Sequence, residues 1–186
     1  MNAPPTSKSS ATRNRLLDAA EQVVSSQGAS ALTLEAVAAE AGVSKGGLLY
    51  HFPSKDALAS ALVRRVVDGV DHALVTASAD GSPGAFTRAY IQVTMGEPGH
   101  VHTGPDSMST ALLGALALDP GLLAPLKSAY ERWQARLEAD GLPEGIATLV
   151  RLAVDGWWTS LVLDLPPLSG KTLTAVRRTL DELARG

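Results

Sequence analysis

The sequence predicts an all-α protein of about nine helices, and two observations lead to this prediction. Apolar residues recur three and four positions apart along most of the 186 residues, which is the spacing of a helix with one buried face. Segments in which apolar and polar residues alternate, as in a half-buried strand, are absent, and so are short hairpin turns between β-branched runs. The sequence contains no internal repeat.

The amino-acid composition limits the function classes that remain. The chain has no cysteine, so disulfide scaffolds, thiolate metal sites and cysteine nucleophiles are excluded. Its longest run without a polar or charged residue, 111–118, is much shorter than the ~20 residues that span a bilayer. The first ten residues contain no apolar segment typical of a signal peptide. We therefore expect a soluble cytoplasmic protein that does not bind membranes.

The overall charge is weakly negative, with a formal net charge of −3 at pH 7. Residues 1–71 are neutral as a group, because seven lysines and arginines balance seven acidic residues. A nucleic-acid contact in this part of the chain must therefore come from a few placed cations and from helix dipoles, rather than from a broad basic surface.

The N-terminal part begins with a tail and a long helix. Residues 1–10 are expected to be disordered because they are rich in Pro and Ser. The first helix is expected to run from about Thr12 to Gln27, and Gly28 then ends it in a left-handed conformation. One apolar stripe marks this helix: Leu16, Leu17, Ala20, Val23 and Val24.

Side-chain caps set the bounds of the next three helices. Thr33 is the expected N-cap of the second helix, which Gly42 ends after about eight residues. Ser44 caps a third helix, which must stop at the residue before Pro53. Ser54 caps a fourth helix of about five turns, with an apolar face formed by Leu58, Leu62, Val66, Val70 and Leu74.

The segment Asp80-Gly-Ser-Pro-Gly84 is the strongest break in the chain and marks an expected domain boundary. A loop is expected at 96–105, where two Pro and three Gly in ten residues disfavour both helix and strand. Five further helices are predicted after the break, over about 85–95, 106–118, 121–140, 144–163 and 172–184.

The segment from Thr33 to Phe52 has the spacing of a helix-turn-helix, in which two short helices meet across a tight turn. Ala38 is small where the second helix must cross closely, and Gly42 can take the positive φ that the turn needs. Leu48 is expected to point back into the core that the helices share. An ordinary helical hairpin is the alternative interpretation of this spacing.

The residues around this segment favour DNA binding over a plain hairpin. The third helix begins Ser44-Lys-Gly-Gly, which is small and polar at the end that would enter a major groove. Tyr50, His51 and Lys55 follow, and all three can donate hydrogen bonds to phosphate oxygens.

Residues from about Ala11 to Asp71, and above all Val43-Ser-Lys-Gly-Gly-Leu-Leu-Tyr-His-Phe-Pro-Ser-Lys55, resemble the DNA-binding domain of TetR-family transcriptional regulators. The resemblance implies that residues 11–71 form a three-helix domain with a helix-turn-helix at 33–52. It also implies that residues 72–186 form a C-terminal helical domain that binds a ligand and dimerises. No cofactor is implied.

The resemblance also assigns roles by position. The implied DNA-binding residues are Thr33, Ser44, Lys45, Gly46, Gly47, Leu48, Tyr50, His51 and Lys55. Lys45, Gly46 and Gly47 would face base edges. The phosphate contacts would come from Thr33, Ser44, Tyr50, His51 and Lys55. One position departs from the family pattern, because Leu49 stands where the family often has Tyr, and Lys45 is then the main candidate to contact guanine.

Catalytic and metal sites were weighed and are not predicted. His100 and His102 lie two residues apart near Asp106, but no third ligand is identifiable, so a solvated loop is expected there. No Ser lies in a Gly-x-Ser-x-Gly elbow, and Ser44-Lys-Gly-Gly lacks the order of a phosphate-binding loop. The acidic residues Asp18, Glu21, Glu35 and Glu40 are expected to lie on solvated helix faces.

Aromatic and methionine residues of the C-terminal part are candidates to line a ligand pocket. They are Tyr90, Met95, Met108, Tyr130, Trp133, Trp157 and Trp158. Such a set suits a flat hydrophobic ligand, and plain core packing is the alternative. A cationic aromatic ligand is a second option because Asp155 lies near Trp157, although Asp155 can instead face solvent or pair with Arg151.

The resemblance implies a homodimeric repressor that is released by a ligand, and a single helix-turn-helix makes few contacts, so a pseudopalindromic operator is expected. Apolar residues of the last two helices are the expected dimer interface: Leu152, Leu161, Leu165, Leu173, Val176, Leu180 and Leu183. The competing hypothesis is an all-helical small-molecule-binding protein or enzyme whose helix-turn-helix is only structural.

Overall fold

The computed structural model describes residues 7–97, 100–101, 119–163 and 165–186. These residues form eight α-helices, which confirms the all-α prediction. The helices are α1 (Ser7–Gln27), α2 (Leu34–Glu40), α3 (Lys45–His51), α4 (Lys55–Ala77), α5 (Ala85–Met95), α6 (Ala124–Glu138), α7 (Ile146–Val162) and α8 (Gly170–Leu183). None of the helices in these ranges is long and apolar enough to cross a membrane.

Most predicted helix bounds agree with the structure to within a few residues. The main difference is at the N-terminus, because α1 begins at Ser7 rather than near Thr12, so residues 7–10 of the expected tail are helical. No Pro follows Pro5 in this segment, so nothing in the backbone prevents the helix from extending. The predicted helix at 106–118 lies outside the described residues.

The expected loop at 96–105 contains a short pair of strands within its described residues. β1 (Gly96–Glu97) pairs antiparallel with β2 (His100–Val101), and Gly96 lies opposite Val101. Each strand has only two residues, so the pair is a local turn structure and the fold class is unchanged. His102 and Asp106, two of the residues weighed as metal ligands, lie outside the described residues.

The described residues divide into two compact units. One includes the described parts of 1–66 and 107–126, and the other includes those of 67–106 and 127–186. The chain passes from the first unit to the second within α4, between Val66 and Val67, before it reaches the break at 80–84.

The core of the first unit is formed by the apolar stripe of α1 together with residues from α2, α3 and α4. Leu16, Leu48 and Leu58, from three of these helices, are fully buried in it. The predicted caps are present: Thr33 Oγ1 accepts from Ala36 N at 3.0 Å, and Ser54 Oγ accepts from Ala57 N at 3.0 Å. These caps satisfy backbone donors that the first turn of a helix leaves unpaired.

In the second unit, α5 begins without a side-chain cap from its own segment. Its N-cap, Gly84, has a φ of +74° and no side chain. Asp140 takes over this role, because its carboxylate accepts hydrogen bonds from Phe86 N at 3.0 Å and from Thr87 N at 2.7 Å. A Cβ added at Gly84 would lie 2.1 Å from the carbonyl oxygen of Ala184. This position therefore admits only glycine.

We predict that Gly84→Ala lowers the free energy of unfolding by more than about 3 kcal/mol, because it adds a backbone clash to a positive φ. Gly81→Ala is the matched control, since Gly81 also has a positive φ but no atom lies within 4 Å of its added Cβ. That variant should lose only about 1 kcal/mol. Denaturant unfolding measures both values, and equal losses would contradict the close approach at Gly84.

Candidate nucleic-acid interface and ligand site

α2 and α3 form the expected helix-turn-helix. Gly42 takes a φ of +64° in the turn, and Val43 N donates to Ala38 O at 3.0 Å, which closes the turn against the end of α2. Arg15 of α1 supports the same turn, because its Nη2 donates to Ala41 O at 2.7 Å. The predicted geometry of this segment is therefore present.

Eight of the nine candidate DNA-binding residues have side chains or backbone at the surface of the first unit. His51 and Lys55 are half-buried, and the other six are exposed. Tyr50 is the most prominent, with 81% of its surface exposed and its ring edge-on to His51 at 5.1 Å between centroids.

Leu48 is the exception among the nine, and its assignment as a DNA-contacting residue is wrong. Its side chain is fully buried in the core of the first unit. Because an apolar side chain at this point of α3 gains more from burial than from water, it faces inward and holds the helix to the core. Its contribution to the interface is to position α3.

The hydroxyls of Thr33 and Ser44 cap their own helices. Each accepts a backbone N–H, from Ala36 at 3.0 Å and from Gly47 at 3.1 Å respectively. An accepting hydroxyl still has its own proton to donate, so either residue can also donate to a phosphate oxygen. Both lie at helix N-termini, where the partial positive charge of the dipole favours an anion.

Lys45 has a partner that the sequence analysis did not identify. Its Nζ lies 2.5 Å from Glu35 Oε1, and both side chains are more than half exposed. The hydrogen bond from Lys45 lowers the pKa of the Glu35 carboxyl below its usual value. Glu35 was expected only on a solvated face, and its ten-residue separation from Lys45 gives no helical i, i+4 signal. In the free protein, the main candidate for base contact is therefore one partner of an exposed ion pair.

Gly46 and Gly47 lie inside α3 and have no positive φ, so the backbone does not require glycine there. The atom nearest to an added Cβ at Gly46 is Ser44 Oγ at 4.0 Å, which is ordinary contact. Each glycine within a helix costs about 1 kcal/mol relative to Ala. An added Cβ at Gly47 would lie 3.3 Å from the capping hydroxyl of Ser44, which is a tight contact, whereas Gly46 has space for a side chain.

In the second unit, three of the predicted pocket residues lie together, and two of them contact one carboxylate. The ring of Trp133 lies 6.2 Å from that of Tyr90 and 5.2 Å from that of Tyr130, between centroids. Both tyrosine hydroxyls donate to Asp155 Oδ1, at 2.6 Å from Tyr90 and 3.3 Å from Tyr130. We call these four residues together with Arg151 the Asp155 cluster.

Arg151 supplies the positive charge of the Asp155 cluster. Its Nη1 donates to Asp155 Oδ2 at 2.8 Å, and its Cζ lies 5.7 Å from the centre of the Tyr130 ring. Of the two alternatives for Asp155, pairing with Arg151 is therefore confirmed, and exposure to solvent is wrong. Burial explains the difference, since a largely buried carboxylate needs a nearby cation or hydrogen-bond donors.

Burial dominates the protonation equilibria of the Asp155 cluster. It raises the pKa of Asp155 above its usual value, although the hydrogen bonds from the tyrosines and the charge of Arg151 oppose this effect. Burial and the negative charge of Asp155 also raise the pKa of Tyr130 to about 12 and that of Tyr90 further. Both phenols therefore stay protonated and donate at neutral pH.

The remaining pocket candidates are less clearly part of this site. Met95 is fully buried and Trp157 nearly so, which agrees with plain core packing. Trp158 is half-buried, and its indole N–H has no hydrogen-bond partner within the described part of the chain. Met108 lies outside the described residues. Sequence reasoning missed Asp71, which accepts the indole N–H of Trp133 at 2.5 Å across a separation of 62 residues.

Comparison with known proteins agrees with both units. A family model described as bacterial regulatory proteins, tetR family, matches residues 16–62, and one described as tetracyclin repressor-like, C-terminal domain, matches residues 84–185. The HTH-type transcriptional regulator RutR of Escherichia coli (strain K12) is 38% identical over 86 residues, which are 46% of this chain and 41% of RutR. The match thus spans less than half the length of this curated relative.

The fold of most of this chain is similar to that of solved structures. The multidrug binding protein EbrR complexed with malachite green has 26% sequence identity and a TM-score of 0.65, and the match covers 92% of this chain and 96% of EbrR. A TetR-family member from Streptomyces coelicolor A3, SCO1917, has 25% identity and a TM-score of 0.66, with 92% and 97% covered.

The two family models and the helix-turn-helix formed by α2 and α3 identify a transcriptional regulator of the helix-turn-helix class. The C-terminal family model alone matches more than half of the chain. The chain belongs to the TetR family of bacterial regulatory proteins.

We predict that a triple variant, Tyr50→Phe, His51→Ala and Lys55→Ala, binds every DNA sequence more weakly and shows a flatter dependence of affinity on salt. Each change removes one donor to phosphate, and phosphate contacts do not depend on sequence. Titration of labelled duplexes at several salt concentrations measures both effects. Lys171→Ala, at an exposed position on α8, is the control and should bind as the parent does. Unchanged affinity in the triple variant would exclude this surface.

Lys45→Ala should instead relax the preference at one base pair, by about 1–3 kcal/mol if Lys45 contacts guanine through two acceptors. Glu35→Gln is the companion variant, because it frees Lys45 from its partner and removes a negative charge near the helix that enters the groove. We expect it to bind all duplexes more tightly. Binding to an operator series with single base changes separates the two results, and a uniform loss for Lys45→Ala would indicate a phosphate contact.

Proposed function

We propose that this regulator is a cytoplasmic repressor that binds a pseudopalindromic operator as a homodimer and is released by a small effector. The observation that carries the DNA-binding part is the surface of α3. Its first turn is bare of side chains at Gly46 and Gly47, while Tyr50 at its other end is largely exposed. This arrangement lets the helix N-terminus approach base edges while the exit of the helix contacts phosphates.

Dimerisation is proposed because one copy of α3 makes too few contacts with DNA to recognise a specific operator. Two copies about 34–36 Å apart would match the repeat of the major groove on one side of the duplex. Exposed leucines on and after α7 supply apolar surface for such an interface: Leu149, Leu152, Leu163, Leu165 and Leu168. Leu149 and Leu152 also line a groove of about 560 Å³ together with residues at the end of α6.

One residue of the expected interface does not fit this proposal. Leu180 is buried within its own chain, because the inner face of α8 packs in the second unit. Leu161, Leu173, Val176 and Leu183 are half-buried, so each can contribute only part of its side chain. The proposed interface therefore depends mainly on α7 and on the segment that follows it.

The effector is proposed to be a small hydrophobic or cationic aromatic molecule that binds in the second unit. The Asp155 cluster supports the cationic option, since two tyrosine hydroxyls donate to a largely buried carboxylate and the Trp133 ring packs against both tyrosines. Aromatic faces and a carboxylate attract a cation together. The similarity to EbrR, which is a multidrug binding protein and was complexed with malachite green, supports the same class of ligand.

The experiment that tests the proposed function is selection of genomic DNA fragments by the purified protein. We expect enrichment of fragments that share a pseudopalindrome, binding that weakens with salt, and release of these fragments by malachite green. A purely structural helix-turn-helix, the competing hypothesis, predicts no enrichment. Enrichment without release by any cationic or hydrophobic dye would contradict the effector part alone.

We further predict that Leu152→Asp shifts the protein toward monomer and weakens operator binding, because a charge at an apolar interface is costly to bury. Sedimentation at micromolar concentration measures the mass, which should be that of a dimer for the parent. Val75→Asp is the matched control, since Val75 is equally exposed but lies on α4. A monomeric parent would exclude the proposed dimer.

A further inference from the structure

We propose that Arg151 is a built-in cation of the Asp155 cluster and that a planar aromatic cation binds there by displacing the Arg151 guanidinium. This inference rests on the proposed effector binding in the second unit, and it adds the residue with which the effector competes. Every residue in the argument belongs to that unit.

The first step is that the site already holds a cation. The guanidinium of Arg151 lies 5.7 Å from the centre of the Tyr130 ring and donates to Asp155 at 2.8 Å. A ring face on one side and a carboxylate on the other are the two contacts that would hold a bound aromatic cation. Arg151 and such a ligand would therefore occupy the same electrostatic position.

The second step is that Asp155 is prepared for a cation independently of Arg151. Its Oδ1 accepts from both Tyr90 and Tyr130, whereas Arg151 donates to the other oxygen, Oδ2. Loss of Arg151 would leave the phenol contacts in place and free one oxygen of a largely buried carboxylate. At a pH above the raised pKa of Asp155, a buried carboxylate without a cation is unfavourable, so the vacated position attracts a positive charge.

The third step is that the fold tolerates movement of Arg151. Arg151 and Asp155 are one turn apart on α7, so their ion pair does not join two helices. Within the described residues, the contacts of Arg151 with another helix are to α6, where its Nε donates to Gln134 Oε1 at 2.7 Å and its guanidinium lies over the Tyr130 ring. Gln134 keeps a second bond across the same helices, because its Nε2 donates to Thr148 at 2.8 Å. Arg177 is the contrasting case of an arginine that is fixed in place, because it donates to the backbone of Gly96 at 2.6 Å and is itself buried.

The chemistry of the displaced group indicates the class of ligand. A guanidinium is planar, its charge is delocalised, and it is weakly hydrated. A ligand that replaces it at low cost shares these properties, as aromatic cations with delocalised charge do. A compact, strongly hydrated ammonium would lose more hydration on entry and should compete less well.

The experiment compares the affinity of malachite green for the parent and four variants. Arg151→Met keeps the length of the side chain and removes its charge, so we expect at least tenfold tighter binding of the dye. Arg151→Lys keeps a competing cation and should stay within about threefold of the parent. Asp155→Asn should lose most of the affinity. Arg178→Met is the matched control, since Arg178 also pairs with an acid one turn later, on α8, and it should bind as the parent does.

Two further measurements separate competition from a structural effect. The uncharged leuco form of the dye should bind the parent and Arg151→Met equally, because it does not compete for the carboxylate. Guanidinium chloride at low millimolar concentration should raise the thermal midpoint of Arg151→Met but not that of the parent, whereas urea should raise neither. If Arg151→Met is too unstable to purify, Arg151→Gln serves in the same comparisons.

Equal or weaker binding of the charged dye by Arg151→Met would overturn the inference and show that Arg151 is a structural clamp. An equal gain for the charged and leuco forms would overturn it as well, because it would indicate added space rather than a freed charge. Failure of the dye to bind the parent and every variant would overturn the proposed effector binding itself. These outcomes are distinguishable within one set of titrations.

Discussion

Burial of Leu48 is the contact on which the DNA-binding surface depends. α3 has seven residues, two of them glycine, and an isolated helix of this length and composition does not form in water. The helix is held because Leu48 inserts into the core formed with α1, α2 and α4, while Ser44 caps its first turn. The outward face is then free to lack side chains at Gly46 and Gly47. The surface proposed to contact DNA is thus supported by a buried leucine beneath it.

The same surface has no net positive charge to attract DNA, so the position of each lysine and arginine matters. In the described part of the first unit, Arg65 forms ion pairs with Asp18 and Glu21, and Lys45 forms one with Glu35. Arg15 is engaged with the backbone of Ala41. Three of the seven lysines and arginines of residues 1–66 are thus engaged within the protein, so helix N-termini with backbone donors are expected to add to the attraction for phosphate. A regulator of this kind is expected to depend on two copies acting together rather than on a strong field from one.

Local signals allowed the helices and the DNA-binding segment to be predicted from sequence. The caps at Thr33 and Ser44, the left-handed Gly42 and the stop before Pro53 act within a few residues of where they stand, so the chain order reveals them. The contacts that were missed join distant residues. Lys45 meets Glu35 across a turn, Trp133 meets Asp71 over 62 residues, and Asp140 caps α5 over 53 and 54 residues. Periodicity predicts which face of a helix is buried, but it does not identify the residue that the face will meet.

The Asp155 cluster is unusual when compared with the rest of its unit. A set of apolar side chains of the same volume would stabilise these helices at least as well, because a buried ion pair gains little over hydrophobic packing. Here the carboxylate is instead surrounded by two phenols and a guanidinium, and burial raises its pKa despite them. Other hydrogen bonds already join these helices without the ion pair. Gln134 of α6 bonds to Thr148 of α7, and Trp133 of α6 bonds to Asp71 of α4. Stability therefore does not account for a charge at this position, and this is an argument for the proposed binding of a cation there.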